Sequence, residues 1–256
     1  MLSTSAKSIG AGSPTDAGRS WRLPTEHPDP IILAAGIPDA PTLSVDDLRD
    51  ALDRTLSTDS AEALEYGGWL GFEGLRSIIV DRQSRIEGIT LEQDNFILHN
   101  GSSGGIDNVS KAFLEPGDVV ITEAPSFSGA VRSMRGYLVE IVEVAMEDGG
   151  VSIDALAEAI QKIESAGKRA KIFYTIADYH NPTGSTLSAE RRAALIDLCA
   201  RHKILILEDA AYTELSFGQA PPTSIFGMAD GHGVLRLGSI SKTIATGLRV
   251  GWVEAR

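Results

Sequence analysis

The sequence predicts an α/β fold, a three-layer sandwich in which a mostly parallel sheet is covered by helices on both faces. Three observations predict it. Short apolar runs alternate with longer stretches whose apolar residues fall three and four apart. The breaks between them carry Gly, Pro, Asn or Ser, residues that end or cap regular elements. Runs such as Ile204-Leu205-Ile206-Leu207 are apolar at every position, as in strands buried on both sides. At 256 residues the chain can bury a large core, as one large domain or two modest ones.

Residues 1–29 are rich in Ser, Gly, Pro, Thr and Asp with little periodicity, and are expected to form a mobile arm ahead of one large domain over 30–256. Ser44 stands as the N-cap of a helix through Leu52, and Gly71 to Arg82 reads as a second helix. Asn95–His99 is a short strand, followed by a helix over Ser103–Leu114. Pro116-Gly117 then turns the chain into a strand over Val119–Thr122. Phe127–Met134 reads as helix, Val139–Val144 as extended, and Ile153–Ile163 as helix. Ile172–Ile176 is a strand, and Ser188 caps a helix over Ala189–Ala200. Ile204–Leu207, Val234–Leu237 and Val250–Val253 are the remaining strands.

Charge narrows the range of partners. With 23 Lys+Arg against 35 Asp+Glu the net charge is −12. That excludes nucleic acid as a general partner, because phosphate backbones need a basic face. It leaves room for one local basic pocket holding a small anion. The single cysteine, Cys199, excludes an intrachain disulfide and points to a reducing, cytoplasmic setting. It lies in the apolar stretch Ala193–Cys199, where a small buried hydrophobe is the expected role. No apolar run reaches the length of a membrane span. The five histidines lack paired ligand spacing, so no metal is expected, and His180 borders the motif described next.

In such sheets ligands bind beyond the carboxyl ends of strands, and four loops there carry polar chemistry. Asn100-Gly101-Ser102-Ser103-Gly104-Gly105 joins a strand to a helix; glycines and free N–H groups suit an anion, while the plain alternative is a Ser-capped helix start. Asn181-Pro182-Thr183-Gly184 consists of turn formers. Asp209 ends a buried strand, where a carboxylate is costly unless paired; it reads as a cap, an ion pair or the partner of a buried cation. Tyr212 lies three residues on and would serve equally as a core tyrosine. Gly238-Ser239-Ile240-Ser241-Lys242-Thr243 and then Gly247-Leu248-Arg249 gather two hydroxyls, a lysine and an arginine.

In this order the four loops resemble those of the fold-type I pyridoxal-phosphate aminotransferases. The branch most similar includes kynurenine/2-aminoadipate and aromatic aminotransferases and the aminotransferase-like domains of some bacterial regulators. The resemblance runs from about Ile31 to Ala255. It implies the major domain of that fold, pyridoxal 5'-phosphate as cofactor, and transfer of an amino group between an amino acid and a 2-oxo acid. Lys242 would form the Schiff base, Asp209 would pair with the protonated pyridine nitrogen, and Asn181 and Tyr212 would bond the ring's 3′ oxygen. Phe127 matches the aromatic position that stacks on the ring. Ser102, Ser103, Ser239, Ser241 and Arg249 match the phosphate clamp, with Ser103 standing where relatives often carry Gln.

Tyr66 resembles a tyrosine that reaches the phosphate of a neighbouring subunit, which implies a homodimer. Gly36 and Asn181 match positions lining the substrate site. Members of the family continue into a C-terminal small domain with an arginine for the substrate carboxylate. This sequence ends at Arg256, so the expectation is a large domain without it, leaving the strand Val250–Val253 exposed. Lyases on the same fold, and non-catalytic cofactor-binding modules, share this machinery. A serine-hydrolase reading of Ser239-Ile240-Ser241-Lys242 lacks the Ser-Asp-Asn and Lys-Thr-Gly elements it requires.

Overall fold

The structure, a computed structural model, describes residues 3–10, 38–218 and 220–256; Gly36 and most of the expected arm lie outside them. Among the described residues the helices are α1 (Thr4–Gly10), α2 (Val45–Thr58), α3 (Ser60–Leu64), α4 (Glu73–Glu87), α5 (Gly101–Phe113), α6 (Ser128–Arg135), α7 (Ile153–Ser165), α8 (Ala189–His202) and α9 (Ile225–Met228). The strands are β1 (Phe96–Asn100), β2 (Val119–Ala124), β3 (Glu140–Glu147), β4 (Gly150–Val151), β5 (Ala170–Thr175), β6 (Leu205–Asp209), β7 (Val234–Ser239) and β8 (Val250–Glu254). They form one sheet in the order β1-β8-β7-β6-β5-β2-β3-β4.

The pairings of β2 with β3 and β5, of β5 with β6, and of β6 with β7 are parallel. Strand β8 is antiparallel to both its neighbours, so β1 runs in the same direction as β7. The short β4 is antiparallel to β3.

Alternation along the central strands divides the core between two faces. Val119 and Ile121 of β2, Phe173 of β5 and Ile206 of β6 pack with Ile79 of α4, Leu156 and Ile160 of α7, and Leu195 and Leu198 of α8. Val120, Ile172, Tyr174, Leu207 and Leu237 pack on the other face with Ile106 and Val109 of α5 and Met134 of α6. This is why strand residues at odd and even positions are both apolar.

Helix α7 shows how local sequence sets an element. The Ser152 hydroxyl accepts from the Ala155 N–H (3.4 Å), an N-cap bond. Leu156, Ile160 and Ile163 then bury one face, each worth roughly 1.5–3 kcal/mol by transfer. Gly167, at φ +72°, takes the left-handed turn that follows.

Several boundaries differ from expectation. The helix begun at Ser44 continues to Thr58, and α4 runs on to Glu87, where Gly88 stops it at φ +69°. Helix α5 starts at Gly101, two residues earlier than expected, so Ser102 lies in its first turn with Ser103 rather than before it. The α1 helix lies inside the segment read as an arm, with the Ser5 hydroxyl donating to the Gly136 carbonyl. The expected exposure of Val250–Val253 is corrected: β8 is an internal strand, bonded on one side to β1 and on the other to β7, and Gly251 to Glu254 are buried. Hydrogen bonds to both neighbours leave it no open edge.

Candidate active site

Because β1, β2, β5, β6 and β7 run the same way, their carboxyl ends share one rim of the sheet. Strand β8 runs against them and therefore begins at that rim. The register places Val250 opposite Asn100 and Gly251 opposite Ser239. Topology alone thus collects Asn100–Ser103, Phe127, Asn181, Asp209–Tyr212, Ser239–Lys242 and Arg249 on one side of the molecule.

Asp209 closes β6 and is buried. The Tyr174 hydroxyl donates to its Oδ2 (2.8 Å) and the Ala211 N–H to its Oδ1 (3.3 Å). Burial raises its pKa, and those two bonds oppose the rise. The other buried carboxylates each face a basic group. Glu87 and Glu254 lie 3.2 Å from Arg236 and Glu208 lies 3.9 Å from it. Asp178 pairs with Arg192, and Glu123 stands 3.1 Å from His180. Among the described residues, Asp209 is the one buried carboxylate without a basic partner at ion-pair distance. An anion so placed is suited to a cation that the polypeptide does not supply.

Beside it, the half-buried Tyr212 hydroxyl accepts from Asn181 Nδ2 (3.0 Å). Lys242 Nζ lies 5.8 Å from the centroid of the Tyr212 ring, within cation–π range. Partial burial lowers the Lys242 pKa, and burial raises that of the Tyr212 phenol. A lysine amine pushed toward its neutral form is a nucleophile and a base.

The Arg249 end of the cluster is built from backbone, two serine hydroxyls and one guanidinium. Asn100 precedes α5 without a side-chain capping bond, so no side-chain acceptor of its own satisfies the first-turn N–H groups. Arg249 Nη2 donates to the Asn100 carbonyl (3.1 Å) and Nη1 to the Thr246 carbonyl (3.3 Å). The Ser239 and Ser241 hydroxyls are 2.8 Å apart, and the Ser241 N–H donates to Ser239 Oγ (3.0 Å). A side chain on Gly251 would strike Gly101 C at 2.6 Å and Ser102 N at 2.8 Å. The first turn of α5, the start of β8 and the guanidinium are therefore in direct contact. Free helix-start N–H groups, hydroxyls and a planar cation together suit a phosphate.

Phe127 precedes α6, and its ring folds over Gly129, where an added Cβ would come within 2.4 Å of it. Tyr66 is fully exposed between α3 and α4, and among the described residues it makes no hydrogen bond to this cluster. Sequence reasoning did not single out Tyr174, Glu123, Asp178, Thr213 or Arg192. The available signal was a tyrosine inside an apolar strand, since a buried phenol needs a partner. His180, expected to border the site, is buried between Glu123 and the Thr183 hydroxyl (3.0 Å).

The family model described as aminotransferase class I and II matches residues 28–256. The aromatic-amino-acid aminotransferase 1 of Thermococcus litoralis is 33% identical over 230 residues, covering 90% of this chain and 55% of that protein. The crystal structure of a multiple substrate aminotransferase from Thermococcus profundus superposes with a TM-score of 0.90 at 31% identity, covering 100% of this chain and 62% of that one. The α-aminoadipate aminotransferase of Thermus thermophilus, crystallised with N-(5'-phosphopyridoxyl)-L-leucine, gives a TM-score of 0.79 at 30% identity, covering 87% of this chain and 55% of that one. The chain spans little more than half the length of these relatives.

Proposed function

The chain belongs to the class I and II aminotransferases, and on that premise we propose that it binds pyridoxal 5'-phosphate at the sheet rim and serves amino-group transfer between an amino acid and a 2-oxo acid. The observation that carries this reading is the buried carboxylate of Asp209, which among the described residues has no basic partner at ion-pair distance. It stands three residues before Tyr212, whose ring lies 5.8 Å from Lys242 Nζ and whose hydroxyl accepts from Asn181. When bound, the cofactor supplies an electron sink for the pair left at the substrate Cα.

The chain's own residues do the rest. Lys242 is the covalent attachment point, its amine disposed to act by partial burial, and once released it moves the Cα proton. Asp209 holds a proton on the ring nitrogen through a charge-assisted hydrogen bond. Asn181 and Tyr212 address the 3′ oxygen, and Phe127 covers the ring. Ser102, Ser103, Ser239, Ser241 and Arg249 hold the phosphate. Gly36 and Asn181 line the substrate side. Tyr66, fully exposed in one copy, serves the site of a second copy in a homodimer. The buried Cys199 accords with a reducing, cytoplasmic setting.

Titration with pyridoxal phosphate, followed by visible absorbance, tests the reading. Lys242→Ala is expected to abolish both the bound-cofactor band and turnover. Asp209→Ala is expected to keep part of the cofactor and lose most activity; full activity would overturn the role of Asp209. Half-reactions with a panel of amino acids, including aromatic ones and 2-aminoadipate, separate transamination from lyase chemistry.

A further inference from the structure

Behind the Asn181–Tyr212 contact lies a second, partly buried link between the same two loops. Arg192, in the first turn of α8, is fully buried, and all five of its N–H donors find acceptors. Nε donates to the Leu187 carbonyl (2.9 Å), and Nη1 to the carbonyls of Pro222 (3.3 Å) and Thr223 (3.1 Å). Nη2 donates to the Ala177 carbonyl (3.4 Å) and to Asp178 Oδ1. The other oxygen of Asp178 accepts from the Thr213 hydroxyl (2.8 Å).

Asp178 sits three residues before Asn181, and Thr213 is next to Tyr212. The two loops are therefore joined twice: at the rim by Asn181 Nδ2 and the Tyr212 hydroxyl (3.0 Å), and behind it by Asp178 and Thr213. We propose that Arg192, acting through Asp178 and Thr213, is a positioning residue that fixes the Asn181–Tyr212 contact. A planar guanidinium held at five points cannot swing, so it sets where the Asp178 carboxylate points. That carboxylate in turn sets the backbone on which Tyr212 is carried. Neither Arg192 nor Asp178 reaches the rim.

Removing Arg192 would strand a buried carboxylate and endanger the fold, so the test acts on Thr213. Thr213→Val keeps the shape and deletes the link; Thr213→Ser keeps the hydroxyl. The first arm is hydrogen exchange of the protein without cofactor. In Thr213→Val, segments 178–187 and 209–215 are expected to exchange at least fivefold faster, with β1 and β2 unchanged, and Thr213→Ser is expected to match the parent. Equal loop rates in Thr213→Val, or acceleration spread over the whole chain, overturn the proposal.

The second arm rests on the cofactor reading above. The pH midpoint of the bound-cofactor absorbance is expected to move by about half a unit or more in Thr213→Val and to stay in place in Thr213→Ser. An unmoved midpoint in Thr213→Val overturns the positioning role. If the parent chain develops no visible band with pyridoxal phosphate, the cofactor reading falls, while the exchange arm still decides whether the link holds the two loops.

Discussion

Gly101 has φ +72°, and a Cβ placed on it would lie 2.4 Å from Arg249 Nη2. Left-handed backbone and lack of space both demand glycine there. Gly101→Ala is expected to destabilise the fold by more than about 1 kcal/mol and to weaken pyridoxal phosphate binding at least tenfold, read by calorimetry. Gly247→Ala is the control, because nothing lies within 4 Å of its added Cβ. Residue by residue, the sequence made the polar rim legible because its loops hold side chains that have little reason to sit together otherwise. Lys242 and Asn181 both approach Tyr212. Tyr174 was not legible as a partner of Asp209. It sits within an apolar strand, and only the parallel pairing of β5 with β6 brings its hydroxyl beside that carboxylate.

At the scale of elements, helices α7 and α8, each with clear periodicity and a capping serine, were legible nearly to the residue. Helix α8 begins after Ser188, whose hydroxyl accepts from the Arg191 N–H (3.3 Å). Ser188→Ala should cost about 1 kcal/mol, and Leu156→Ala on α7, fully buried, about 2–5 kcal/mol. Both are read as shifts in urea midpoint at constant slope. Helix α9 was not legible, and the reason is tertiary. Its four residues follow no period, and they are held because the buried Glu208 carboxylate accepts from the N–H groups of Ile225 and Phe226 (3.0 Å each). The strand Val250–Val253 was legible as a strand but not as an internal one, since order within a sheet leaves no mark on local patterning.

Across the whole molecule, one guanidinium gathers several buried carboxylates whose charge it offsets only in part. Glu87 from α4, Glu208 from β6 and Glu254 from β8 all converge on Arg236 of β7, with Gln83 Oε1 accepting from its Nη1 (2.8 Å). Burial outweighs the attraction of Arg236 at Glu254, whose pKa rises from the ordinary 4.5 to about 7. Glu208 and Asp209 are also raised by burial. A carboxyl group raised on folding stabilises fully below its unfolded pKa and loses that contribution as pH climbs through the folded one. Stability should therefore fall between about pH 4.5 and 7, by on the order of 3 kcal/mol from Glu254 alone. The half-buried Asp118 and the exposed Glu147, shifted downward, oppose this only weakly because solvent reaches and screens both. Thermal midpoints at pH 5 and pH 8 check it. Glu254→Gln should shrink the difference, and an unchanged difference would dismiss Glu254 as its source.

The place of β8 between β1 and β7 also has a kinetic meaning. Among the described strands, β1 has no neighbour in the sheet until β8 arrives roughly 150 residues afterwards, as the pairing of Asn100 with Val250 shows. Only then do Arg249 and the start of α5 touch. Closure over so long a loop is slow, so pulse-labelled refolding should protect Phe96–Asn100 and Val250–Glu254 together and last. Capture of an anion would follow the docking of β8 rather than guide it.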